Sequence, residues 1–363
     1  MKDPALNLYT VFFVSSCSTA GLHSEWRSNV FSHSSLIILL FYNNNMKHII
    51  SLTDFSRDDI LDIIGLAQEL KAKYTAWKKT PYLADKTLIM LFQKTSTRTR
   101  LSFETAMTQL WWHAVYLDSH TSNFGLTDFV YEIQATMQFG DFLMMRALHA
   151  DDVVVAASYN IIPVIDGCSE KYHPCQALGD FLTMIEDIWW LHHLHRIARM
   201  WIENNVCNSL KIVSATLWID MTLLTPEQNP ESVDIVLDDN AYTSWYIHKT
   251  IDLEQWLAWA QYIHTDTRMD MEFFEQGKIL PAYQEAYEKK IKTFMPYQVS
   301  ASLIDRYASQ AKIMHCLPAH IGFEISKDAM DHPNNITLVQ AENRLHVQKA
   351  ILLWLWKKQK ACA

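Results

Sequence analysis

Apolar residues in this chain occur in two arrangements that alternate along the sequence. Residues 87–92 form an apolar run, and residues 101–110 then place apolar side chains three and four positions apart. A short apolar run predicts a buried strand, and the wider spacing predicts an amphipathic helix. Because this order recurs, we predict an α/β fold with two domains, each a parallel β-sheet flanked by helices. Further strands are predicted at 113–117, 142–146, 161–166, 196–200, 219–224, 262–266 and 312–318.

Helix signals set the expected boundaries of the domains. Residues 56–59, Ser-Arg-Asp-Asp, resemble a capping box at a helix start, and the amphipathic segment 174–188 predicts the helix that leads into the second domain. The last helix, from Arg344 to about Lys357, is apolar enough to pack back onto the first domain. The predicted divisions are a disordered or non-native extension at 1–45, a first domain at 46–185 completed by 342–358, and a second domain at 186–335.

Composition narrows the class of protein and its partners. The net charge of −9, with 20% charged and 49% apolar residues, is typical of a globular protein and argues against a broad nucleic-acid surface. None of the six cysteines forms a CxxC pair, which favours a reducing compartment, and the histidines between 192 and 195 lack further metal ligands at suitable spacing. No apolar run approaches the ~20 residues that span a bilayer. We expect a cytoplasmic protein that binds neither nucleic acid, membrane nor metal.

A polar, basic segment follows the first predicted strand. Residues 94–100 read Lys-Thr-Ser-Thr-Arg-Thr-Arg and stand where the strand gives way to a helix N-terminus. Free backbone N–H groups and the positive end of the helix dipole favour a phosphate dianion there, and Arg98 and Arg100 add planar sets of donors. The alternative is a capped, solvated helix start that happens to be basic.

Three further clusters place reactive groups at the ends of predicted elements. His173 and Gln176 flank a helix start at Pro174 and can aim donors at a carbonyl or phosphoryl oxygen, although polar capping also explains them. Cys316 ends a strand, where the alternative is a buried cysteine acting as a small hydrophobe. Arg344 stands beside an acid and an amide at the expected start of the last helix, where the alternative is a solvated helix start.

Taken together, these motifs resemble those of the ornithine carbamoyltransferases, within the wider aspartate/ornithine carbamoyltransferase family. Their order and spacing agree from residue 46 to about residue 355. The resemblance implies transfer of the carbamoyl group of carbamoyl phosphate to the δ-amine of L-ornithine, giving L-citrulline and phosphate in arginine metabolism, without a cofactor. The matching motifs are 96–100, Arg146, 173–176, Asn204-Asn205, Asp266, 315–318 and 342–344.

The resemblance also implies roles for individual residues, with carbamoyl phosphate bound to the first domain and ornithine to the second. The implied catalytic residues are Arg98, His173, Asp266 and Cys316. Those that would polarise the carbonyl oxygen are Arg98, Thr99, His173 and Gln176. Those for carbamoyl phosphate are Ser96, Thr97, Arg98, Thr99, Asn123, Arg146, His173, Gln176, Cys316, Leu317 and Arg344. Those for ornithine are Asn205, Asp266, Asp270 and Met271.

The family assembles as trimers in which a loop reaches the neighbouring subunit's phosphate site, so a homotrimer is expected. Asn123 stands in that loop where relatives usually have Gln. Residues 266–272 read Asp-Thr-Arg-Met-Asp-Met-Glu, where most relatives have Asp-x-Trp-x-Ser-Met-Gly. This departure leaves two alternatives open, transfer to another amine such as putrescine or a modified ornithine, and a non-catalytic paralogue.

Glycine is scarce and tryptophan abundant, with 8 and 13 residues, although glycine usually makes up ~7% of a chain. Seven tryptophans fall where the family typically carries Gly, several of them between a strand and a helix, where a missing Cβ permits positive φ or close packing. We hypothesise that many are UGA codons that the source organism reads as glycine. The seven are Trp111, Trp112, Trp190, Trp201, Trp218, Trp245 and Trp259.

Overall fold

The computed structural model describes residues 46–189, 191–266, 274–275, 278–279, 281 and 284–362. Its first parallel sheet consists of β1 (Thr87–Phe92), β2 (His113–Asp118), β3 (Phe142–Arg146) and β4 (Val164–Asp166), in the spatial order β2-β1-β3-β4. The helices around it are α1 (Arg57–Thr75), α2 (Thr97–Gln109), α3 (Phe129–Met137), α4 (Ala150–Ser158) and α5 (Pro174–Ile188). Strands β1 and β3 bury nearly all their side chains, as strands covered on both faces do.

The second half of the chain repeats this arrangement. Its strands are β5 (Arg196–Glu203), β6 (Asp220–Gln228), β7 (Ile247–Lys249), β8 (Tyr262–Thr265), β9 (Phe274–Glu275), β10 (Lys278–Ile279) and β11 (Lys312–His315). Five of them form a parallel sheet in the order β11-β8-β5-β6-β7, and β9 pairs with β10 antiparallel. Its helices are α6 (Asn205–Leu217), α7 (Ile235–Thr243), α8 (Leu253–Leu257), α9 (Gln284–Phe294), α10 (Ala301–Tyr307), α11 (Lys327–Met330) and α12 (Thr337–Cys362). The predicted fold class is confirmed.

Most predicted elements occur at or near their expected bounds. The capping box of α1 is present, because Ser56 Oγ accepts the N–H of Asp59 and the Asp59 carboxylate accepts the N–H of Ser56. Helix α5 spans the predicted residues. Strand β4 begins at Val164 instead of residue 161, since the nitrogen of Pro163 cannot donate to the ladder.

Strand β6 continues through Pro226 to Gln228, although it was predicted to end at residue 224. The pairing of β5 with β6 shifts, so that Met200 is opposite Leu224 and Ile202 is opposite Glu227. Pro226 therefore lies in a bulge, where no ladder N–H is required. The predicted end of this strand at residue 224 is wrong.

The last helix, α12, begins at Thr337, well before its predicted start. The Asn335 side chain accepts the N–H of Thr337 at 2.9 Å, so the polar group at the helix start lies upstream of the expected one. Arg344 is consequently in the body of the helix, and both interpretations that placed it at a helix start are wrong. Helix α12 packs against α1, α2 and α5, so the chain returns to the first sheet as predicted. None of the helices among the described residues is long and apolar enough to cross a membrane.

Five tryptophans have a left-handed backbone, with φ between 56° and 85°. Residues with a Cβ rarely adopt this conformation, whereas glycine does so freely. Trp201, fully buried beside Phe294, is one of them. The five are Trp77, Trp111, Trp189, Trp201 and Trp218. Among the seven positions predicted to be glycine-like, Trp112, Trp245 and Trp259 do not have this backbone, and Trp190 lies outside the described residues.

Candidate active site

Seven strands end at one cavity of about 430 Å³. Residues at or just beyond the carboxyl ends of β1, β3, β4, β5, β6, β8 and β11 line it, so both sheets contribute. Ligands of open parallel sheets bind at this edge. The residues predicted from sequence that line the cavity are Ser96, Arg98, Arg146, His173, Gln176, Asn205, Asp266, Cys316, Leu317 and Arg344.

Three guanidinium groups from distant parts of the chain line the cavity together. Arg98 comes from the first turn of α2, Arg146 from the end of β3, and Arg344 from α12. Their Nε atoms are buried and have no hydrogen-bond partner among the described residues. Burial lowers the pKa of Arg98 and of Arg344, and a neighbouring guanidinium adds to this in each case. Since arginine stays protonated, these charges with unused donors suit a multiply charged anion.

The start of α2 supports this group of charges. Ser96 is the N-cap, and its Oγ accepts the N–H of Thr99 at 3.4 Å. The buried Thr99 hydroxyl accepts a hydrogen bond from Arg344 Nη2 at 3.1 Å, so Thr99 acts by holding a guanidinium. Thr97 is exposed and is not among the residues that line the cavity.

Arg100 has a different environment from Arg98. It is exposed, its Nε donates to Glu104 at 2.9 Å, and its guanidinium lies over the ring of Tyr116. Of the two arginines in this segment that were expected to hold a phosphate, only Arg98 reaches the cavity. The prediction for Arg100 is wrong, because two residues along a helix turn the side chain to another face.

His173 and Gln176 both stand at the start of α5. The backbone N–H of His173 donates to Ser209 Oγ at 2.8 Å, and its Nδ1 is buried without a partner among the described residues. Burial, reinforced by the three guanidiniums, holds the pKa of His173 well below its usual value, so the ring is neutral. Gln176 Nε2 donates to Asp180 at 2.7 Å, while its buried Oε1 has no partner in the part of the chain that the structure describes.

A carboxylate and a thiol form another part of the cavity wall. Asp266 accepts hydrogen bonds from Cys316 Sγ at 2.5 Å and from Asn204 Nδ2 at 2.7 Å. Burial opposes ionisation of Asp266, but the Arg199 guanidinium and other donors outweigh it and keep the pKa below its usual value. Burial and the adjacent carboxylate raise the pKa of Cys316 well above its usual value. Cys316 is thus a protonated donor and not a thiolate nucleophile.

The remaining residues that the sequence predicted for the site differ in whether they line the cavity. Asn205 Nδ2 donates to the carbonyl of Ser169 at 2.6 Å. This bond joins the segment after β5 to the segment after β4 at the cavity. Leu317, with φ of 57°, lines the cavity. Asn123 is exposed and does not line the cavity of its own chain. The predicted ornithine ligands that lie outside the described residues are Asp270 and Met271.

Possible metal ligands also occur at the cavity. Asp266, His315 and Cys316 place one ligand atom each within 4.8 Å of one another. These atoms already have partners, because Cys316 donates to Asp266 and His315 Nε2 donates to Glu324 at 3.0 Å. The expected absence of a metal stays a prediction.

Sequence analysis missed three buried residues behind the cavity, Asp180, Arg199 and His264. His264 Nε2 lies 2.9 Å from Asp180 Oδ2, and Arg199 Nη1 lies 2.6 Å from His264 Nδ1. Each lies in a mostly apolar stretch of its helix or strand, although the helix and one of the strands carry other ionisable residues. An ionisable residue in such a stretch must find a buried partner, and this signal could have identified them.

Two sequence models of one family match the chain. The model described as aspartate/ornithine carbamoyltransferase, carbamoyl-P binding domain, matches residues 47–186, and the one described as the Asp/Orn binding domain matches residues 195–355. The chain is 36% identical over 320 residues to an ornithine carbamoyltransferase of Archaeoglobus fulgidus and 34% identical over 314 residues to one of Methanosarcina acetivorans. Each alignment covers 86% of this chain and 99% of the relative.

Solved structures are similar over the same extent. The ornithine carbamoyltransferase from Pyrococcus furiosus has a TM-score of 0.74 at 32% identity and covers 84% of this chain and 96% of its own. The anabolic ornithine carbamoyltransferase from Campylobacter jejuni has a TM-score of 0.74 at 31% identity and covers 86% and 99%. Coverage of this extent takes in both sheets.

Proposed function

Because the chain belongs to the aspartate/ornithine carbamoyltransferase family and is a transferase, we propose that it moves the carbamoyl group of carbamoyl phosphate to the δ-amine of L-ornithine, releasing L-citrulline and phosphate in arginine metabolism. The observation that carries this proposal is the meeting of Arg98, Arg146 and Arg344 at one cavity, with buried Nε donors left unused by the described residues. A doubly charged phosphate is the chemical complement of that arrangement.

The phosphate would lie at the N-terminus of α2. Its oxygens would accept from the backbone N–H groups of that first turn, from the Ser96 hydroxyl and from the guanidiniums of Arg98 and Arg146. Thr97 would contribute its backbone N–H, since its side chain is exposed. These groups are in place before the reaction and would stabilise the leaving phosphate as its charge grows.

The carbonyl carbon would be attacked while its oxygen gains negative charge. Arg98 and the neutral His173 would donate to that oxygen and stabilise the tetrahedral intermediate. As the C–O bond to phosphate breaks, the oxygen returns to a carbonyl, the carbamoyl group stays on the amine, and the amine gives up its extra proton to the leaving phosphate. No covalent enzyme intermediate is required, because the only thiol assigned to catalysis, Cys316, is held protonated.

The acceptor amino acid would bind beside Asp266, whose carboxylate would attract the α-ammonium group. Cys316 and Leu317 would close the cavity over the amino acid, and Asn205 would contact its polar α-carbon end. The domain of the first sheet, completed by α12, would then bind carbamoyl phosphate. The domain of the second sheet would bind the amino acid.

The experiment that tests this function is a turnover assay with carbamoyl phosphate and a panel of amines. We expect citrulline from ornithine, with one phosphate released for each citrulline. Carbamoylation of putrescine or a modified ornithine without citrulline would replace ornithine as the acceptor. Tight binding of a bisubstrate phosphonate with no turnover of any amine would indicate a non-catalytic paralogue.

We also propose that the protein is a cytoplasmic homotrimer. Asn123 is exposed on the loop after β2, where it is accessible to a neighbouring subunit, and it would reach that subunit's phosphate site. A solution mass by analytical ultracentrifugation that differs from a trimer or a multiple of it would count against this assembly.

The rate is expected to rise with pH between about pH 6 and 9. The attacking amine must be neutral, and a free alkyl amine has a pKa near ~10, so a higher pH increases the reactive fraction. His173 adds no acidic limb near the ordinary histidine pKa of ~6.5, because burial and the guanidiniums hold its pKa well below that value and the ring stays neutral throughout this pH range. The measurement is kcat/KM for ornithine against pH at saturating carbamoyl phosphate. An acidic limb that disappears in His173→Gln would contradict this assignment.

A further inference from the structure

A smaller cavity, of about 190 Å³, lies away from the strand ends, among helices α1, α2 and α12. The described residues of its wall include three lysines, Lys78, Lys79 and Lys349, and no carboxylate. Lys78 and Lys79 are exposed, whereas Lys349 is only 1% exposed. The cavity therefore leads from the surface to an amine that is buried in the protein. None of these three lysines lines the larger cavity at the strand ends.

Lys349 is buried without a carboxylate partner among the described residues. Its Nζ donates to Gln109 Oε1 at 2.8 Å and lies 5.1 Å from the ring centroid of Tyr74. The neighbouring His346 offers no negative charge, because burial, helped by nearby lysines, lowers its pKa to about 3 and leaves the ring neutral. Burial alone lowers the pKa of Lys349 to about 8. A substantial fraction of this amine is thus uncharged near neutral pH, unlike an ordinary lysine with a pKa of ~10.4.

An uncharged amine at this position is a nucleophile. Gln109 Oε1 can only accept, so it takes one N–H of Lys349 and leaves the nitrogen lone pair unused. A lysine whose charge is removed by burial reacts with electrophilic carbon, whereas an ammonium does not. Because Lys349 is almost completely buried, the electrophile that reaches it must be small and uncharged. The ammonium groups of Lys78 and Lys79, on the same cavity wall, favour a product that carries negative charge.

We propose that Lys349 is a site of modification by CO₂, at which a lysine carbamate forms and is stabilised by the charges of Lys78 and Lys79. The nitrogen lone pair attacks the carbon of CO₂, an N–C bond forms, and one C=O electron pair moves onto oxygen. The nitrogen then releases one proton to water, which leaves a carbamate anion. Its remaining N–H still donates to Gln109 Oε1. This site is separate from the carbamoyl-transfer cavity and does not depend on the proposed reaction.

The test traps the carbamate on the folded wild-type protein. The protein is equilibrated at pH 8 with ¹³C-labelled bicarbonate and CO₂, the carbamate is converted to its ethyl ester with triethyloxonium, and peptide mass spectrometry locates the label. Near pH 8 about half of Lys349 is neutral, against under ~1% of an ordinary lysine. We therefore expect about 10–100-fold more label on Lys349 than on an exposed lysine.

Lys211 is the matched control within the same sample, because it is also completely buried but has carboxylate partners. Its Nζ lies 2.5 Å from Asp238 and 3.4 Å from Glu203. Burial opposes its charge, but these carboxylates outweigh burial and hold its pKa above the usual value. Lys211 should carry no label. An unfolded fraction of the protein would expose both lysines, so equal labelling of Lys211 and Lys349 would overturn the inference.

A double variant tests the part given to the two exposed lysines. Lys78→Gln with Lys79→Gln should lower the label on Lys349 by about 2–5-fold, since each exposed charge contributes modestly. Lys289→Gln with Lys292→Gln makes the same change at two exposed lysines of α9 and should leave the label unchanged. Label on Lys349 no higher than on exposed lysines, or equal label in the two double variants, overturns the inference and leaves the proposed function standing.

Discussion

Replacing Arg98 by alanine is expected to lower kcat/KM for carbamoyl phosphate by about 10³-fold or more. Arg98 lines the cavity, and its Nε is buried without a partner among the described residues, so its donors are available to the substrate. Removing one preorganised donor to a developing oxyanion costs about 10²–10³-fold in rate, and the alanine variant would also lack a positive charge beside the phosphate. The measurement is steady-state citrulline formation with carbamoyl phosphate varied.

Arg100→Ala is the matched control, because it makes the same change two residues further along α2. Arg100 pairs with Glu104 on the surface, and exposed pairs of this kind contribute ~0–1 kcal/mol to stability. We expect kcat/KM to change less than about twofold, since neither residue lines the cavity. Comparable losses in the two variants would show that the cavity does not discriminate between them, and the assignment of Arg98 to the substrate would be wrong.

Those parts of the site that depend on local order along the chain were predictable from sequence. The basic segment 94–100 follows a strand and opens a helix, so its position at a sheet edge follows from adjacent residues. Arg146 and Asp266 stand at strand ends for the same reason. Parallel strands of one sheet end at the same edge, which brings the basic segment and Arg146 together. Asp266 belongs to the second sheet, so its place at the same cavity depends on how the two sheets pack.

The supporting residues were not predictable in this way. Asp180, His264 and Arg199 belong to α5, β8 and β5, and nothing local to any of these elements shows which partner it will meet. Arg344 lines the cavity although the predicted start of its helix was wrong. The cap at Asn335 begins α12 earlier, but the side chain of Arg344 stays on the same face of the helix. The directions in which the side chains of Arg98 and Arg100 point likewise depend on where α2 begins.

The left-handed tryptophans share a structural position that explains their backbone. Trp77, Trp111, Trp189 and Trp218 each stand at the C-terminus of a helix and are exposed, by 54% to 94%. At three of these ends the next residue's N–H bonds a carbonyl five residues earlier, as in Lys78 to Lys73 at 2.9 Å. This is the Schellman motif, whose left-handed residue is usually glycine. The sequence hypothesis of glycine at tryptophan positions therefore has a conformational basis, although only two of these four were among its seven positions.

Replacing these four tryptophans together by glycine is expected to raise the free energy of unfolding by about 2–4 kcal/mol. A left-handed residue with a Cβ costs ~1–2 kcal/mol, and the greater freedom of glycine in the unfolded chain takes back part of that gain. Their exposed rings leave no core cavity, so the effects should add, except between Trp77 and Trp111, which line the same surface cavity. The measurement is denaturant unfolding of the two proteins side by side.

The control is Trp245→Gly, because Trp245 is 88% exposed but lacks the left-handed backbone. Glycine there relieves no strain and adds freedom to the unfolded chain, so stability should fall by about 0.5–1 kcal/mol. An equal gain at this position would show that losing an exposed indole, and not relieving the backbone, stabilises the protein. Peptide mass spectrometry of the protein from its own organism then decides the codon hypothesis, since tryptophan at residues 111, 112 and 201 would end it. Glycine at residues 111 and 218 would mean that these two helix ends carry, in the cell, the residue that their backbone favours.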